Sequence, residues 1–262
     1  TKFRDLVRKA DSIDARYVAT GHYARVIDGA LHRGVDPSKD QSYFLWGIDR
    51  DVLSRMLLPV GSQTKAETRA TAHALGLELI AEKVESQDIC FVPDGDHTKI
   101  IRSKLGADAP ALSRGPFVLA NGQVIGEHEG YARFTIGQRR GLPGGFREPM
   151  FVIGIRPADR AVVVGRREEL LGRGLIAREL NWLGEPQPLG RRVSVQIRHR
   201  AAPAAAEIIR VSGQEIELAL DDPVSAITPG QSVGIYDGDR MLGGGVIESA
   251  RGRKWELPVL AA

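Results

Sequence analysis

The chain has 262 residues, 42% hydrophobic and 26% charged, with a net charge of +3. This length allows two or three domains with ordinary globular cores. No apolar run approaches bilayer-spanning length and no signal-peptide pattern is present, so neither a membrane-spanning nor a secreted protein is expected. A single cysteine excludes an intrachain disulfide framework and a thiolate-built zinc site, and predicts a reducing, cytoplasmic setting. The charge is uneven: residues 1–101 carry 14 Lys+Arg against 15 Asp+Glu, whereas residues 102–262 carry 22 against 18, and 20 of those 22 are arginine. Arginine suits phosphate forks and base stacking, although a GC-rich genome also writes Arg for Lys.

Phe3, Leu6, Val7 and Ala10 follow helical spacing, which predicts an amphipathic helix from Lys2 to about Ala15. A helix already under way at residue 1 predicts that upstream sequence is missing. Tyr17-Val18-Ala19-Thr20 reads as a short buried strand, followed by Gly21-His22-Tyr23. In open α/β sheets, ligands sit beyond the C-terminal ends of strands. Gly21 is therefore either a place of close backbone approach to a nucleotide or a plain turn glycine. His22 is a substrate contact or a polar turn residue.

Ala24 to Val35 predicts a hairpin turning at Asp28-Gly29. The polar loop Asp36 to Ser42 follows, where Lys39 and Gln41 suit a phosphate or a base edge, or simply a solvated loop. Thr64-Lys65-Ala66-Glu67 is a capping box opening a helix to about Leu75, with Gly76 as the stop. Ser86-Gln87-Asp88-Ile89-Cys90-Phe91 carries the only thiol, polar on one side and anchored by Ile89 and Phe91. A lone cysteine is a small buried hydrophobe or a reactive sulfur. Asp96 is placed to cap a further helix to Leu105, ending at Gly106.

The pattern changes after Ala107. Pro110, Ser113, Gly115 and Pro116 mark a linker, and Asn121-Gly122 between apolar runs predicts a hairpin. A second hairpin is expected between Met150–Ile155 and Ala161–Val164. Between them, the glycine- and arginine-rich segment from Phe134 to Leu142 suits a phosphate cradle or a tight exposed loop. From about Gly174 several short alternating segments with regular turn signals predict a small barrel.

Six stretches in order carry a resemblance: Ala19-Thr20-Gly21-His22-Tyr23, Lys39-Asp40-Gln41-Ser42-Tyr43-Phe44-Leu45, Ser86 to Phe91, Thr135-Ile136-Gly137-Gln138-Arg139-Arg140-Gly141-Leu142, Thr228-Pro229-Gly230-Gln231 and Gly243-Gly244-Gly245-Val246-Ile247. Together they resemble the tRNA-specific 2-thiouridylase family, which places sulfur on C2 of the wobble uridine of certain tRNAs. The resemblance implies part of an α/β PP-loop nucleotide-binding domain (1–106), a small β-rich central domain (107–173) and a C-terminal β-barrel (174–262). It implies Cys90 as the catalytic carrier of persulfide sulfur and Gly21 as an ATP contact. His22, Lys39, Asp40, Gln41, Arg198, His199 and Gln231 are implied as tRNA contacts, with Arg133, Arg139, Arg140 and Arg200 as further phosphate candidates.

ATP with Mg²⁺ is the expected cofactor, and no protein-held metal is expected. The expected partners are the anticodon stem-loop of tRNA and a sulfur-donor protein, a cysteine desulfurase or sulfur relay. Two departures stand out. The family's Ser-Gly-Gly-Val-Asp-Ser phosphate loop and its second cysteine, which lies just before the Lys-Phe matched by Lys2-Phe3, are not in this sequence; the 262 residues alone are therefore expected to be inactive. His199 and Phe134 stand where many members have Tyr. The competing readings are a non-catalytic RNA-binding module and a PP-loop ATPase that activates a different carbonyl.

Overall fold

The computed structural model describes residues 2–82, 96 and 98–252, with backbone only at residues 2 and 80. These fall into two compact units: one gathers residues 2–82, 174–222 and 228–250, the other 96, 98–173, 223–227 and 251–252. An α/β N-terminal part, a β-rich middle and a C-terminal barrel are all present, as the sequence predicts.

The first unit opens with α1 (Lys2–Asp11) and β1 (Val18–Ala19). The hairpin β2 (Ala24–Ile27) and β3 (Ala30–Arg33) follows, then α2 (Arg50–Leu53) and β4 (Met56–Leu57). Next come α3 (Lys65–Ala74) and α4 (Glu78–Ala81). Asp28 and Gly29 turn the hairpin with φ of 49° and 73°, the left-handed geometry that a two-residue turn needs. Thr64 caps α3 as predicted: its hydroxyl accepts from the Glu67 N–H and the Glu67 carboxylate accepts from the Thr64 N–H, while Gly76 follows at φ 68°.

β1 pairs in parallel with β4, giving the α/β part a two-stranded sheet among the described residues. The expected buried strand is only half realised. Val18 is buried, but Tyr17 is 45% exposed and Ala19 is exposed, because successive side chains of an extended segment point to opposite faces. In α1, Ala10 is buried and Phe3 and Val7 pack on the core, while Leu6 stays exposed.

The second unit contributes α5 (Thr98–Leu105) and a sheet of β5 (Gly115–Leu119), β6 (Val124–His128), β7 (Phe151–Arg156) and β8 (Ala161–Gly165), in the order β6-β5-β8-β7. Asp96 caps α5 through the Thr98 N–H at 3.0 Å, and Gly106 closes it at φ 88°. All five residues of β8 are buried, because the sheet is covered on both faces. Ala161 and Val163 join Val118, Ile153 and Leu170 on one face; Val162 and Val164 join Phe117 and Val152 on the other. This is the period-two alternation of a strand between two cores.

The remaining strands are β9 (Leu171–Trp182), β10 (Arg192–Gln196), β11 (Ala204–Ser212), β12 (Glu215–Ser225), β13 (Ser232–Asp237) and β14 (Arg240–Arg251). They run β13-β10-β11-β12-β9-β14, and β13 also pairs with β14, so six strands close into a barrel. Closure removes the free edges that an open sheet would expose. β14 also carries the β2–β3 hairpin on its flank, through Arg240 opposite His32.

Ile208, Ile216, Leu218, Val233 and Ile235 are fully buried in the barrel, each stabilising it by about 1.5–3 kcal/mol of side-chain burial. The α/β part and the barrel share one core. Leu31, Leu45, Leu53 and Met56 from the first cluster with Leu183, Tyr236 and Met241 from the second.

The Gly243-Gly244-Gly245 run has a steric cause. A Cβ on Gly243 would lie 2.3 Å from the Asn181 carbonyl oxygen, and one on Gly244 would lie 2.7 Å from the Trp46 Cβ. β14 therefore lies flush against β9 on one side and the Trp46 loop on the other, where no larger residue fits. Asn181 locks that loop by donating from Nδ2 to the Trp46 and Ile48 carbonyls at 2.7 and 2.9 Å. No helix among the described residues is long and apolar enough to cross a membrane.

Candidate functional site

Cys90, with the whole Ser86–Phe91 stretch, lies outside the described residues. Of the other candidates, Arg133, Arg139 and Arg140 lie in the second unit and the rest in the first, where a continuous set of contacts links most of them.

Gly21 and His22 follow β1 at its C-terminal end, where the Thr20 N–H still donates to the Leu57 carbonyl at 3.0 Å. Gly21 is exposed, and a Cβ there would meet nothing within 4 Å. Its glycine is thus not demanded by packing, and the space in front of its backbone is open to a ligand. His22 is half-buried; its Nδ1 lies 2.9 Å from the Thr20 hydroxyl and its ring 5.6 Å from Phe3. The next residue, Tyr23, exchanges two hydrogen bonds with Gln41. The Tyr23 N–H donates to the Gln41 Oε1 at 2.9 Å, and the Gln41 N–H donates to the Tyr23 carbonyl at 2.8 Å. This pairing fixes the 39–41 loop beside the strand end.

Asp40 is the hub of that loop. Its carboxylate accepts from Arg33 Nη1 at 2.9 Å, from the Gly34 and Ser42 N–H groups at 3.0 Å, and from the Ser42 hydroxyl at 3.0 Å. Side-chain exposure is 8% for Asp40 and 17% for Arg33, so the pair is shielded from water. Arg33 Nη1 also donates to the buried Gln196 at 2.8 Å, and its guanidinium lies 3.7 Å over the Tyr236 ring. The Tyr236 hydroxyl meets the Ser42 hydroxyl at 3.1 Å, and burial pushes the Tyr236 pKa up to about 12.

A buried ion pair persists only when its remaining hydrogen-bonding capacity is met, and here it is. The Asp40 side chain is thus committed to the protein interior: it shapes the loop that presents Lys39 and Gln41. Lys39 is half-buried at the loop apex, its N–H on the Asp36 carbonyl at 3.1 Å. Asp36 holds the other end of the loop, accepting from the Ser38 and Lys65 N–H groups at 2.9 and 3.0 Å. Those bonds, the Ser38 hydroxyl foremost, hold its carboxyl below the usual range.

The barrel candidates converge on the same side of the loop. Ser42–Leu45 forms a 3-10 turn in which Ser42, Tyr43 and Leu45 are buried and Phe44 is 55% exposed. The His199 ring lies 4.6 Å from Phe44 and 6.5 Å from Tyr43. Tyr43 is pinned by its hydroxyl, which donates to the Ser232 carbonyl at 2.8 Å, and burial raises its pKa. Arg198 Nη2 donates to the Thr228 hydroxyl at 2.9 Å, and the Gln231 N–H donates to the Thr228 carbonyl at 3.2 Å. Gln231, remote in sequence from Arg198-His199, is thereby brought to them beside the turn that follows Gln41.

Sequence reasoning missed Arg33, Gln196, Tyr236 and Phe44. Only Phe44 sat in a stretch already singled out; the other three carry no local signal. In the second unit, the N–H groups of Thr135, Gly137 and Gln138 are all taken up by protein acceptors. The Gly137 N–H donates to the Val152 carbonyl at 2.8 Å and the Thr135 N–H to the Gln138 Oε1 at 3.1 Å. This favours the tight exposed loop over the phosphate cradle, with Arg139 and Arg140 exposed on it.

Three family models match the chain. They are described as a tRNA methyl transferase HUP domain over residues 1–94, a tRNA methyl transferase PRC-barrel domain over 107–166, and an aminomethyltransferase beta-barrel domain over 172–247. A protein of Rhodopirellula baltica is 45% identical over 258 residues, covering 95% of this chain and 64% of the relative. One of Carboxydothermus hydrogenoformans is 43% identical over 254 residues, 94% of this chain and 68% of the relative. One of Koribacter versatilis is 44% identical over 257 residues, 94% and 69%. The chain thus spans 64% to 69% of the length of these three relatives, each named tRNA-specific 2-thiouridylase MnmA. By these matches over 94% to 95% of its length, the chain belongs to the tRNA-specific 2-thiouridylase family.

Proposed function

We propose that the chain works as part of an ATP-dependent tRNA-uridine 2-sulfurtransferase that converts the wobble uridine to 2-thiouridine. The observation that carries this reading is the convergence in the first unit. The open glycine at a strand end, the 39–41 loop and the barrel residues Arg198, His199 and Gln231 form one connected surface. The naming of close relatives as tRNA 2-thiouridylases supports it.

ATP, as its Mg²⁺ complex, supplies the adenylyl group that turns the C2 oxygen of uridine into a leaving group. Gly21 fits a nucleotide because its backbone is open at the end of a parallel strand. The phosphate loop would come from sequence other than these 262 residues. His22, Lys39 and Gln41 would hold the anticodon region near that strand end, with Asp40 setting their loop. Arg198, His199 and Gln231 would hold the RNA from the barrel side. Extended contact of this kind offsets the few kcal/mol needed to take a base out of its stack.

Cys90 would carry the sulfur as a persulfide, loaded by a sulfur-donor protein in the cytoplasm. Its outer sulfur bonds to C2 as the C2–O bond breaks. A partner thiol from outside this sequence then attacks the Cys90 sulfur, leaving a protein disulfide and sulfur on the base.

In the protein at the full length of its relatives, Cys90→Ser should bind tRNA with wild-type affinity and yield no 2-thiouridine by nucleoside mass spectrometry. Thiolation at the wild-type rate would remove Cys90 from the reaction. The 262-residue chain alone should bind tRNA without thiolating it.

A further inference from the structure

We propose that Phe44 and His199 together form a stacking shelf for one unpaired nucleobase, and that Phe44, more than any charge around it, selects single-stranded over paired RNA. The inference rests on the reading of this chain as a tRNA-binding protein and adds a subsite to it.

A large apolar side chain 55% exposed usually either moves freely or meets a partner. Phe44 is not free to move away. Its neighbours Ser42 and Leu45 are 0% and 1% exposed, and Tyr43 is tied to the barrel at the Ser232 carbonyl. The turn is therefore fixed on both sides of Phe44, and its ring projects from a rigid base. His199 reaches it from another part of the chain, its ring 4.6 Å away and inclined by 47°. At that spacing the two rings are in contact, so His199 backs Phe44 and helps to hold it, and a flat group stacks on the part of the Phe44 ring left to solvent.

The chemistry around the shelf identifies the guest. His199 is flanked by Arg198 and Arg200, and Lys39 lies five residues before Phe44. Cations interleaved with exposed aromatics are how proteins hold single-stranded nucleic acid: the cations take the backbone and the rings take the bases. A purely apolar protein segment would gain nothing from the arginines. A paired duplex would keep its bases stacked on one another and out of reach of the rings.

The experiment uses the 262-residue chain and a set of RNA hairpins, each with 2-aminopurine at a different loop position, beside a fully paired duplex of equal length. The wild-type complex should quench one loop position through stacking. Phe44→Ala should restore that fluorescence at saturation and weaken hairpin binding roughly 5- to 150-fold, the range set by losing one stacked base. Duplex binding should not change. Phe44→Trp should keep the quench. Phe44→Leu, apolar but without a flat face, should behave like Phe44→Ala.

The shelf is overturned if Phe44→Ala binds the hairpins as wild type does. It is also overturned if hairpin and duplex weaken equally, or if Phe44→Leu retains full affinity, which would point to an apolar protein contact instead. Failure of the full-length protein to thiolate tRNA, with the Phe44-dependent quench intact, would overturn the reaction and leave the shelf standing.

Discussion

Asp40 and His128 each fasten a loop to a strand from a buried position, one as an ion and the other as a neutral ring. Asp40 sits in the first unit with an arginine, two backbone N–H groups and a serine hydroxyl around it. His128, at the end of β6 in the second unit, is 5% exposed and has two backbone partners: its Nδ1 accepts from the Gly130 N–H at 3.1 Å and its Nε2 faces the Arg160 carbonyl at 3.0 Å. Burial lowers the His128 pKa, so the ring is held neutral. A charge gathers many partners and sets a whole loop, but each partner is then needed. A neutral ring sets only two bonds and tolerates more. The charged arrangement lies where the candidate residues meet, and the neutral one does not.

The largest effect should come from removing the ion. Asp40→Ala leaves the shielded Arg33 guanidinium without its counter-charge, and the loss of one partner of a buried pair costs about 3–5 kcal/mol. Urea unfolding should show a loss in that range, with the double variant Asp40→Ala/Arg33→Met, which removes both charges, less damaging. A loss below about 1 kcal/mol for Asp40→Ala would mean that water already screens the pair.

Gly244→Ala is the steric control for the same region. Its Cβ would fall 2.5 Å from the Val233 carbonyl oxygen and 2.7 Å from Trp46 Cβ, with no change of charge. Overpacking of this kind costs about 1–3 kcal/mol. If it destabilises more than Asp40→Ala, close packing rather than the ion pair holds the loop against the barrel. A smaller step is Thr64→Ala, which removes the cap of α3, the helix whose Lys65 N–H holds Asp36 at the other end of the loop. About 1 kcal/mol should be lost, with little effect on the Asp40 end, as amide exchange at Gly34 and Ser42 would report.

What the sequence made legible was local. Asp28-Gly29, Thr64 with Glu67, and Asp96 with Gly106 announce turns and caps because their partners lie within a few residues, or because their geometry favours glycine. Arg33 was illegible for the opposite reason. Its partners are seven residues away at Asp40 and 163 away at Gln196, and no local pattern specifies them. The polar run Lys39-Asp40-Gln41 was visible, but the inward commitment of Asp40 and the outward exposure of Phe44 depend on how the chain closes on the barrel. Tyr17 misled because an apolar tetrapeptide reads as buried throughout, whereas alternate side chains of an extended segment face opposite ways.

The pH dependence of the His128 site is the smallest effect at neutral pH and the only one that grows on acidification. Protonation would place a second N–H on Nδ1, directly facing the Gly130 N–H donor, so one hydrogen bond is lost and two donors oppose each other. Glu129 pulls in the other direction, but its exposed carboxylate is already engaged by Arg114 at 2.6 Å. Because the folded pKa lies below the unfolded value, the unfolded chain binds the extra proton first. Stability from this group is therefore fully present above the unfolded pKa of about 6.5 and is lost as pH falls from there through the folded pKa, with a slope of at most about 1.4 kcal/mol per pH unit. Carboxylates elsewhere titrate on the acid side of this range, so the informative quantity is a double difference. Wild type should lose more stability between pH 7.5 and pH 5.5 than His128→Asn, which keeps a polar side chain but cannot take up a proton. Equal losses in the two proteins would mean that the ring accepts its proton without cost, and that the second unit does not depend on a neutral histidine as the first depends on a charged aspartate.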